Sequence, residues 1–346
     1  MRNPRTEPLT KRRLLSALAV GAVVAVVAIV IALFLGAEHV DVVGVFRGRA
    51  SDVDREIFLA IRLPRVLAGA LTGAALAASG VAFQALLRNP LADPYLLGIS
   101  GGGSLGAVLA IVAFGAGATA VLPLRIAAAL IGCLAALGLV FFIATRGGPL
   151  RPASLLLAGV VVNAFFLAGL ACVQFVATPN QAQAILRWML GGLDAGGRSE
   201  VIALAVVVPA LLVVLMRLTP SLHALLFGEE TARHLGVDLD RVRRNTFLVA
   251  SALTAASVAV AGPIGFVGLV IPHAVRLVTG ADPRVLLPAS ALAGAAFLPL
   301  ADAFARTWLA PRELPVGVVT ALLGAPAFLL LVARRRAPSG QEAFHA

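Results

Sequence analysis

Charge is scarce in this chain of 346 residues, and that scarcity indicates the class of protein. Only 13% of the residues are charged, whereas 60% are hydrophobic and the mean hydropathy is +0.97. A soluble domain carries about 25% charged residues, so a soluble globular protein is excluded. Apolar runs of about 20 residues, long enough to cross a hydrocarbon core of roughly 30 Å, recur along the chain. The sequence therefore predicts an all-α, polytopic membrane protein.

About ten transmembrane helices are predicted, and together they form one domain over residues 14–333 between tails at 1–13 and 334–346. In chain order the predicted spans are 14–36, 62–84, 95–115, 122–144, 152–176, 199–216, 246–261, 264–275, 285–308 and 315–333. The first span follows a basic cluster, as a signal peptide does. Its apolar part is too long and no convincing cleavage site follows, so we expect it to be retained.

Lysine and arginine are divided unevenly between the two sides of the membrane. With the N-terminus inside, the inner segments hold 18 of the 28 basic residues and the outer segments hold 10. The positive-inside rule therefore predicts that both termini are cytoplasmic and that the chain is multi-pass in the cell (inner) membrane. Since topology accounts for the net charge of +11, we predict membrane lipid and no nucleic acid as a partner.

The residue types needed for catalysis and metal binding are also scarce. Lys11 is the single lysine and has no glycine pattern before it, which excludes a P-loop. The two cysteines fall inside predicted spans and the five histidines are scattered, so we predict no disulfide, metal site or cofactor. No nucleophile–base pair stands out, which disfavours a membrane enzyme. Most spans lack a carboxylate, with Glu200 and Asp302 as exceptions, and this disfavours an ion-coupled secondary transporter.

A glycine tract, residues 101–106, matches the dinucleotide fingerprint G-x-G-x-x-G, but its context does not fit. The tract lies inside a predicted span, and no acidic residue occurs between Asp93 and Asp194. We therefore expect these glycines to let helices approach closely.

Three arginines lie at the outer ends of predicted spans. Arg62 and Arg65 share one face at the start of the second span, and Arg306 ends the ninth, four residues after Asp302. Two interpretations stay open for Arg62 and Arg65: snorkelling to lipid phosphates, or docking of an acidic partner outside. For Arg306 the alternative is an ion pair with Asp302 within its own helix.

Two polar segments interrupt the spans on the inner side. The loop 217–245 mixes apolar and charged residues and is predicted to form two short amphipathic helices, broken at Gly228 and Gly236, that a partner could grip. The stretch RNPLADP, residues 88–94, is predicted to turn between two helices, either as a plain turn or beside the mouth of a pathway.

Two features inside the spans need cover from neighbouring helices. Asn163 is a lone amide, expected either to bond an adjacent helix or to line a pathway. Residues 264–275 would make a helix of only roughly 18 Å. Such a short helix is tolerated where protein or a water-filled path covers it.

These motifs resemble the FecCD-type permeases, the membrane subunits of binding-protein-dependent ABC importers for iron–siderophore complexes, haem and cobalamin. The resemblance extends from about residue 60 to 330 and rests on RLPR at 62–65, RNPLADP at 88–94, AGPIGFVGLVIPH at 261–273, ELPVG at 313–317 and GAP at 324–326. It implies a type II ABC importer permease fold and a homodimer with the pathway on its axis. It also implies two cytoplasmic ATP-binding subunits, which hydrolyse ATP, and an external substrate-binding protein.

Site residues follow from the same resemblance. It implies binding-protein docking by Arg62, Arg65 and Arg306. It implies ATPase coupling by Gly228, Glu229, Glu230, Ala232, Leu235 and Gly236, and a gate role for Asn89 and Leu91. Asn163 joins them as a candidate pathway residue only through its position as a lone amide in a span. Iron–siderophore is the predicted metal chelate because it is the commonest cargo of the family; haem and cobalamin stay as alternatives. One departure is Gly101-Gly102-Gly103, where many relatives have Ser-Gly-Ala.

Overall fold

The computed structural model describes residues 11–36, 38, 40–115, 122–193 and 197–335, and throughout these residues the regular structure is helical. The α-helices, in chain order, are α1 (Lys11–Phe34), α2 (Val42–Phe46), α3 (Asp52–Glu56), α4 (Leu63–Leu86), α5 (Ile99–Phe114), α6 (Leu122–Thr145), α7 (Pro152–Val176), α8 (Pro179–Met189), α9 (Arg198–Leu225), α10 (Glu229–His234), α11 (Leu239–Ala261), α12 (Val267–Thr279), α13 (Pro283–Thr307) and α14 (Val316–Arg335). A π-helical segment, Ile57–Arg62, joins α3 to α4, and a 3-10 turn, Pro94–Leu97, precedes α5.

Every predicted span coincides with one of these helices, which confirms the all-α membrane fold. Seven helices in the described part of the chain are long and apolar enough to cross a bilayer, and α5, α12 and α14 are shorter apolar helices. We call the end of the bundle that carries α10 the inner end, since it is predicted to be cytoplasmic, and the opposite end the outer end. Residues 1–10 and 336–346, most of the two predicted tails, lie outside the described residues.

Helix α4 lies at the centre of the bundle. In its apolar window 89% of the residues are buried, against 17% in α1 and 22% in α6. Its neighbours include α13, α11, α9 and α12. Many of its residues are alanine or glycine, so the surrounding helices approach its backbone closely.

The glycine tract of α5 has the packing role expected of it. Gly102 faces Gly132 on α6, and a Cβ added to either residue would collide with the carbonyl of the other. Gly103 leaves space for the Cys133 side chain in the same contact. The tract therefore brings α5 against α6 without room for larger side chains.

The loop 217–245 differs from its prediction. Helix α9 continues to Leu225 and α11 already begins at Leu239, so a single short helix, α10, lies between the breaks at Gly228 and Gly236. The other apolar residues of the segment pack together, with Leu222, Leu225 and Val242 around Ala232. The apolar residues of the predicted amphipathic pattern are buried as a group, but most of them belong to the ends of the transmembrane helices α9 and α11.

Helix α8 was not predicted. It has a capping box in which the Thr178 backbone N–H bonds Gln181, and it buries Ile185 and Trp188. The pattern T-x-x-Q that makes this box is readable in the sequence. Its position after α7 places α8 at the outer end.

Candidate translocation pathway and its two ends

An open recess of about 590 Å³ lies beside the break between α11 and α12. Its walls come from the turn after α4, the end of α8, the start of α12 and the first half of α14. Leu91, Tyr95 and Leu322 line it and remain exposed, Leu91 to 46%. The recess is therefore a concave face of this chain and not an enclosed cavity.

Irregular backbone around the break shapes the recess. Phe266 adopts a left-handed φ of 68° and α12 begins at the next residue. The segment after α8 fills the gap: the Gly192 N–H donates to the Ala261 carbonyl at 2.9 Å, and the Gly317 N–H donates to the Gly191 carbonyl at 3.3 Å. These bonds satisfy polar backbone that would otherwise be costly at membrane depth. The short helix α12 is thus covered by protein, as its length required.

One carboxylate, Asp93, lies among the apolar residues that line the recess. Its Oδ1 accepts the Tyr95 N–H at 2.8 Å, and a second backbone bond comes from Phe266. Burial raises the pKa of Asp93 to about 6, and the two N–H donors partly oppose that rise. The sequence placed Asp93 in the predicted turn at 88–94 and Tyr95 at the start of the third predicted span, and it predicted no pathway role for either residue.

The three predicted gate or pathway residues lie in different places. Leu91 lines the recess. The Asn89 Oδ1 accepts the Leu91 N–H at 2.9 Å, so this amide shapes the turn that presents Leu91. Asn163 lies against Gly101 at the contact of α7 with α5, where a Cβ on Gly101 would be 2.5 Å from its Oδ1. This contact between helices is made possible by the missing side chain of Gly101, and the pathway role of Asn163 stays a prediction.

The predicted docking arginines are buried at the outer end. Arg62, Arg65 and Arg306 are 4%, 8% and 4% exposed. Arg65 Nη2 lies 3.0 Å from Asp302 Oδ1, and its Nη1 lies 2.7 Å from Glu313 Oε2. Arg306 Nε lies 3.0 Å from Asp302 Oδ2, which confirms the ion pair within α13. Buried charges require such partners because desolvation otherwise costs several kcal/mol.

All three arginines are thus engaged by groups of this chain. Arg62 is also occupied, since its Nη2 donates to the Glu38 carbonyl at 2.7 Å. Docking of an external protein through these residues stays a prediction. Glu313 is the accessible member of the cluster, with 41% of its side chain exposed, so an acidic partner would compete with Glu313 for Arg65.

At the inner end, the predicted coupling residues divide between two faces of α10. Gly228 and Gly236 have φ of 109° and 78°, which terminates the helices on either side. Ala232 is fully buried among residues of α9 and α11. Glu230 and Leu235 are exposed and point away from the bundle. The fold thus leaves part of α10 open for a partner.

Glu229 faces inward and binds two arginines. Its Oε1 lies 2.6 Å from Arg243 Nη2 and 3.6 Å from Arg88 Nη1. The hydrogen bond from Arg243 and the charges of both arginines lower the pKa of Glu229, against an opposing effect of burial. This pairing is not readable from the sequence, because Arg243 is fourteen residues further on and Arg88 belongs to another loop.

Comparison with known proteins identifies relatives along nearly the whole chain. The family model of the FecCD transport family matches residues 16–334. The cobalamin import system permease protein BtuC of Halobacterium salinarum is 46% identical over 275 residues, covering 80% of this chain and 73% of that protein. The hemin transport system permease protein HmuU of Yersinia pestis is 41% identical over 288 residues, covering 83% and 86%.

A solved structure shares the fold. It is described as an inward-facing conformation of a metal-chelate type ABC transporter, and it superposes with a TM-score of 0.81 at 30% identity, covering 92% of this chain and 98% of its own. The helical bundle agrees with this match. The chain belongs to the FecCD transport family, whose members are membrane permeases of ABC importers.

Proposed function

We propose that this chain is the membrane-spanning permease subunit of a binding-protein-dependent ABC importer that carries a metal chelate. The recess beside α12 carries this proposal. It is largely apolar, open on one side, and its volume of about 590 Å³ falls within the roughly 300–1,000 Å³ usual for small-molecule sites. Two copies related by an axis along the open side would join their recesses into one pathway.

A homodimer is supported by the position of the uncovered apolar surface on α14, where Leu322 and Leu329 are exposed. Leu322 also lines the recess, so the uncovered surface and the recess are continuous. A second copy seated there would bury both.

Energy for transport comes, in this proposal, from two separate ATP-binding subunits. The sequence has no P-loop, and α10 offers Glu230 and Leu235 on its exposed face. An external binding protein delivers the cargo to the outer end, where the buried arginine cluster lies. Purification of the chain with its neighbouring gene products should recover an ATPase complex, and a chain that transports without one contradicts this assignment.

The cargo is proposed at the level of a metal chelate. Relatives are named for cobalamin, hemin and Fe(3+)-citrate, and each of these is a metal complex. Iron–siderophore, predicted from the frequency of that cargo in the family, stands beside haem and cobalamin. The wall of the recess offers one carboxylate and no feature peculiar to a haem or a corrin.

Uptake in a deletion strain separates these cargoes. Cells lacking the gene are compared with complemented cells for uptake of labelled ferric siderophore, haem and cobalamin under iron limitation. We expect one uptake to be lost and to return with the gene. Survival of all three, in a strain that also lacks related permeases, would overturn the metal-chelate assignment.

A protonophore distinguishes the other class of transporter. Uptake that persists without ATP-binding subunits and collapses when the proton gradient is dissipated would assign the chain to ion-coupled carriers. Uptake that follows ATP supply supports the ABC importer.

A further inference from the structure

Three segments of the inner end meet at the carboxylate of Glu229, and a fourth is reached through Arg243. Glu229 begins α10, Arg88 belongs to the turn after α4, and Arg243 lies in the first turns of α11. A second Arg243 nitrogen, Nη1, donates to the Leu150 carbonyl before α7 at 3.2 Å. A second Arg88 nitrogen, Nη2, donates to the Leu225 carbonyl at 3.4 Å. Glu229 thus connects α10 directly with the turn after α4 and with α11, and through Arg243 with the segment before α7.

Arg88 is held in an unusual backbone conformation. Its φ is 48°, in the left-handed region that non-glycine residues rarely adopt. Such conformations are strained and persist where the surroundings determine them. Backbone bonds at the end of α4 supply those surroundings, with the Asn89 N–H donating to the Gln84 carbonyl at 3.2 Å, and the side chain then reaches Glu229 and the Leu225 carbonyl. Because Leu91 follows Arg88 by three residues, the position of Arg88 also sets the wall of the recess.

The two ion pairs of Glu229 differ in how firmly they are held. Arg243 is almost fully buried and makes the shorter contact, whereas 42% of the Arg88 side chain is exposed and its contact is longer. A movement of α10 would therefore carry α11 with it and change the hold on the turn. The lowered pKa of Glu229 keeps its carboxylate ionised, so both ion pairs persist at neutral pH.

We propose that Glu229 is the positioning residue through which a displacement of α10 reaches the turn that carries Leu91. The proposal deepens the proposed function and rests on it, since it assumes ATP-binding subunits that move α10. Glu229 acts through Arg88 and Arg243 and does not touch the cargo. Its exposed neighbour Glu230 is left for contact with the partner.

A thiol reporter at the turn tests this link without knowledge of the cargo. Cys133→Ala and Cys172→Ser remove the native thiols, and Leu91→Cys introduces a reporter at a position that is accessible in this structure. The permease, assembled with its ATP-binding subunits in nanodiscs, is labelled with a small maleimide without nucleotide and again after trapping with ATP and vanadate. The readout is the ratio of the two labelling rates.

With Glu229 in place, we expect the ratio to be about tenfold, the size of a typical coupling between sites. Glu229→Gln should reduce it to less than about twofold, with assembly and ATP hydrolysis measured in the same nanodiscs. Arg88→Gln, which removes an exposed side chain and should not prevent folding, should lower the ratio partly. Arg151→Gln is the matched control: Arg151 is exposed beside Leu150 and makes no ion pair within the described segments.

The outcomes separate this proposal from the proposed function. A ratio that stays near tenfold in both Glu229→Gln and Arg88→Gln overturns the link and leaves the importer assignment untouched. A ratio near one with Glu229 present, in a complex that hydrolyses ATP, would show that Leu91 is not part of the gate. That result would also overturn the link. Equal losses in Glu229→Gln and Arg151→Gln would assign the effect to general charge on the inner face and overturn the link.

Discussion

Among single residues, Asp302 has the most demanding surroundings. It is 1% exposed and lies within 3.0 Å of guanidinium nitrogens from both Arg65 and Arg306. The pair Arg65–Asp302 connects α4 to α13 across 237 positions of sequence. Removing the carboxylate would leave two buried arginines with a single partly exposed acid, Glu313.

We therefore expect Asp302→Asn to destabilise the detergent-solubilised protein by about 3–5 kcal/mol, the usual cost of breaking a buried ion pair. Glu313→Gln, which alters the exposed member of the same cluster, should cost less than about 1 kcal/mol. Denaturant unfolding monitored by tryptophan fluorescence measures both. Equal effects of the two substitutions would contradict the dominant role of Asp302.

Asp93 predicts a pH dependence of stability. Its pKa is about 6 in the folded chain, above the ordinary value of 3.8, because burial disfavours the charged carboxylate. The folded state therefore binds the proton more tightly than the unfolded state. The resulting stability is fully present below pH 4 and is lost as the pH rises through about 6.

Asp93→Asn should remove this loss, because the amide is neutral at every pH and can still accept the Tyr95 N–H. At pH 7.5 we expect the variant to gain roughly 1–3 kcal/mol relative to its difference from the parent at pH 4. Unfolding free energies at several pH values provide the comparison. Parallel profiles for parent and variant would show that Asp93 does not titrate in this range.

At the scale of elements, the closest approach is between α4 and α12. Gly80 lies against the Gly268 carbonyl, and a Cβ added to Gly80 would collide with it. Because the obstacle is backbone, relief requires movement of α12, and α12 forms a wall of the recess.

Gly80→Ala should therefore destabilise the protein by about 1–3 kcal/mol and impair transport, since overpacking forces backbone shifts. Gly138→Ala on α6 is the matched control, because an added Cβ there has no neighbour within 4 Å. That substitution should be neutral or stabilising by up to about 1 kcal/mol. Thermal unfolding and uptake measured together test the pair; a neutral Gly80→Ala would mean that α12 is free to shift.

For the whole molecule, the uncovered face of α14 predicts the assembly. Leu329 follows Leu322 by two helical turns, so both lie on the face that borders the recess. Its exposed fraction is 67%, equal to that of Ile131 on α6. In a homodimer built on the recess, Leu329 would meet the second copy, whereas Ile131 would meet lipid.

Leu329→Gln should then weaken dimerisation by about tenfold, because the amide replaces packed aliphatic surface at the interface. Ile131→Gln should leave the dimer intact although it makes a comparable change. Single-molecule photobleaching in nanodiscs counts the subunits of each variant. Loss of dimers in both variants, or in neither, would place the interface elsewhere.

Hydrophobicity and helix length were sufficient to predict the bundle. Each predicted span lies on an observed helix because about 20 apolar residues have few other stable arrangements in a bilayer. The errors occur where amphipathic segments adjoin the spans. Residues 217–225 read as part of a loop, yet α9 continues through them because Leu222 and Leu225 find a buried partner in α10. Helix α8 has a readable capping box, but its 11 residues contain no apolar run long enough to indicate a span.

The sequence by itself determined the membrane class, the ten apolar helices and the family, because composition, length and motif order are properties of the chain read in one dimension. Only the tertiary structure decided which charges meet. It buried Arg65 between Asp302 and Glu313, joined Glu229 to Arg88 and Arg243, and placed Asp93 on the wall of the recess. These pairings join residues far apart in sequence, so they depend on how the helices pack and not on any local pattern.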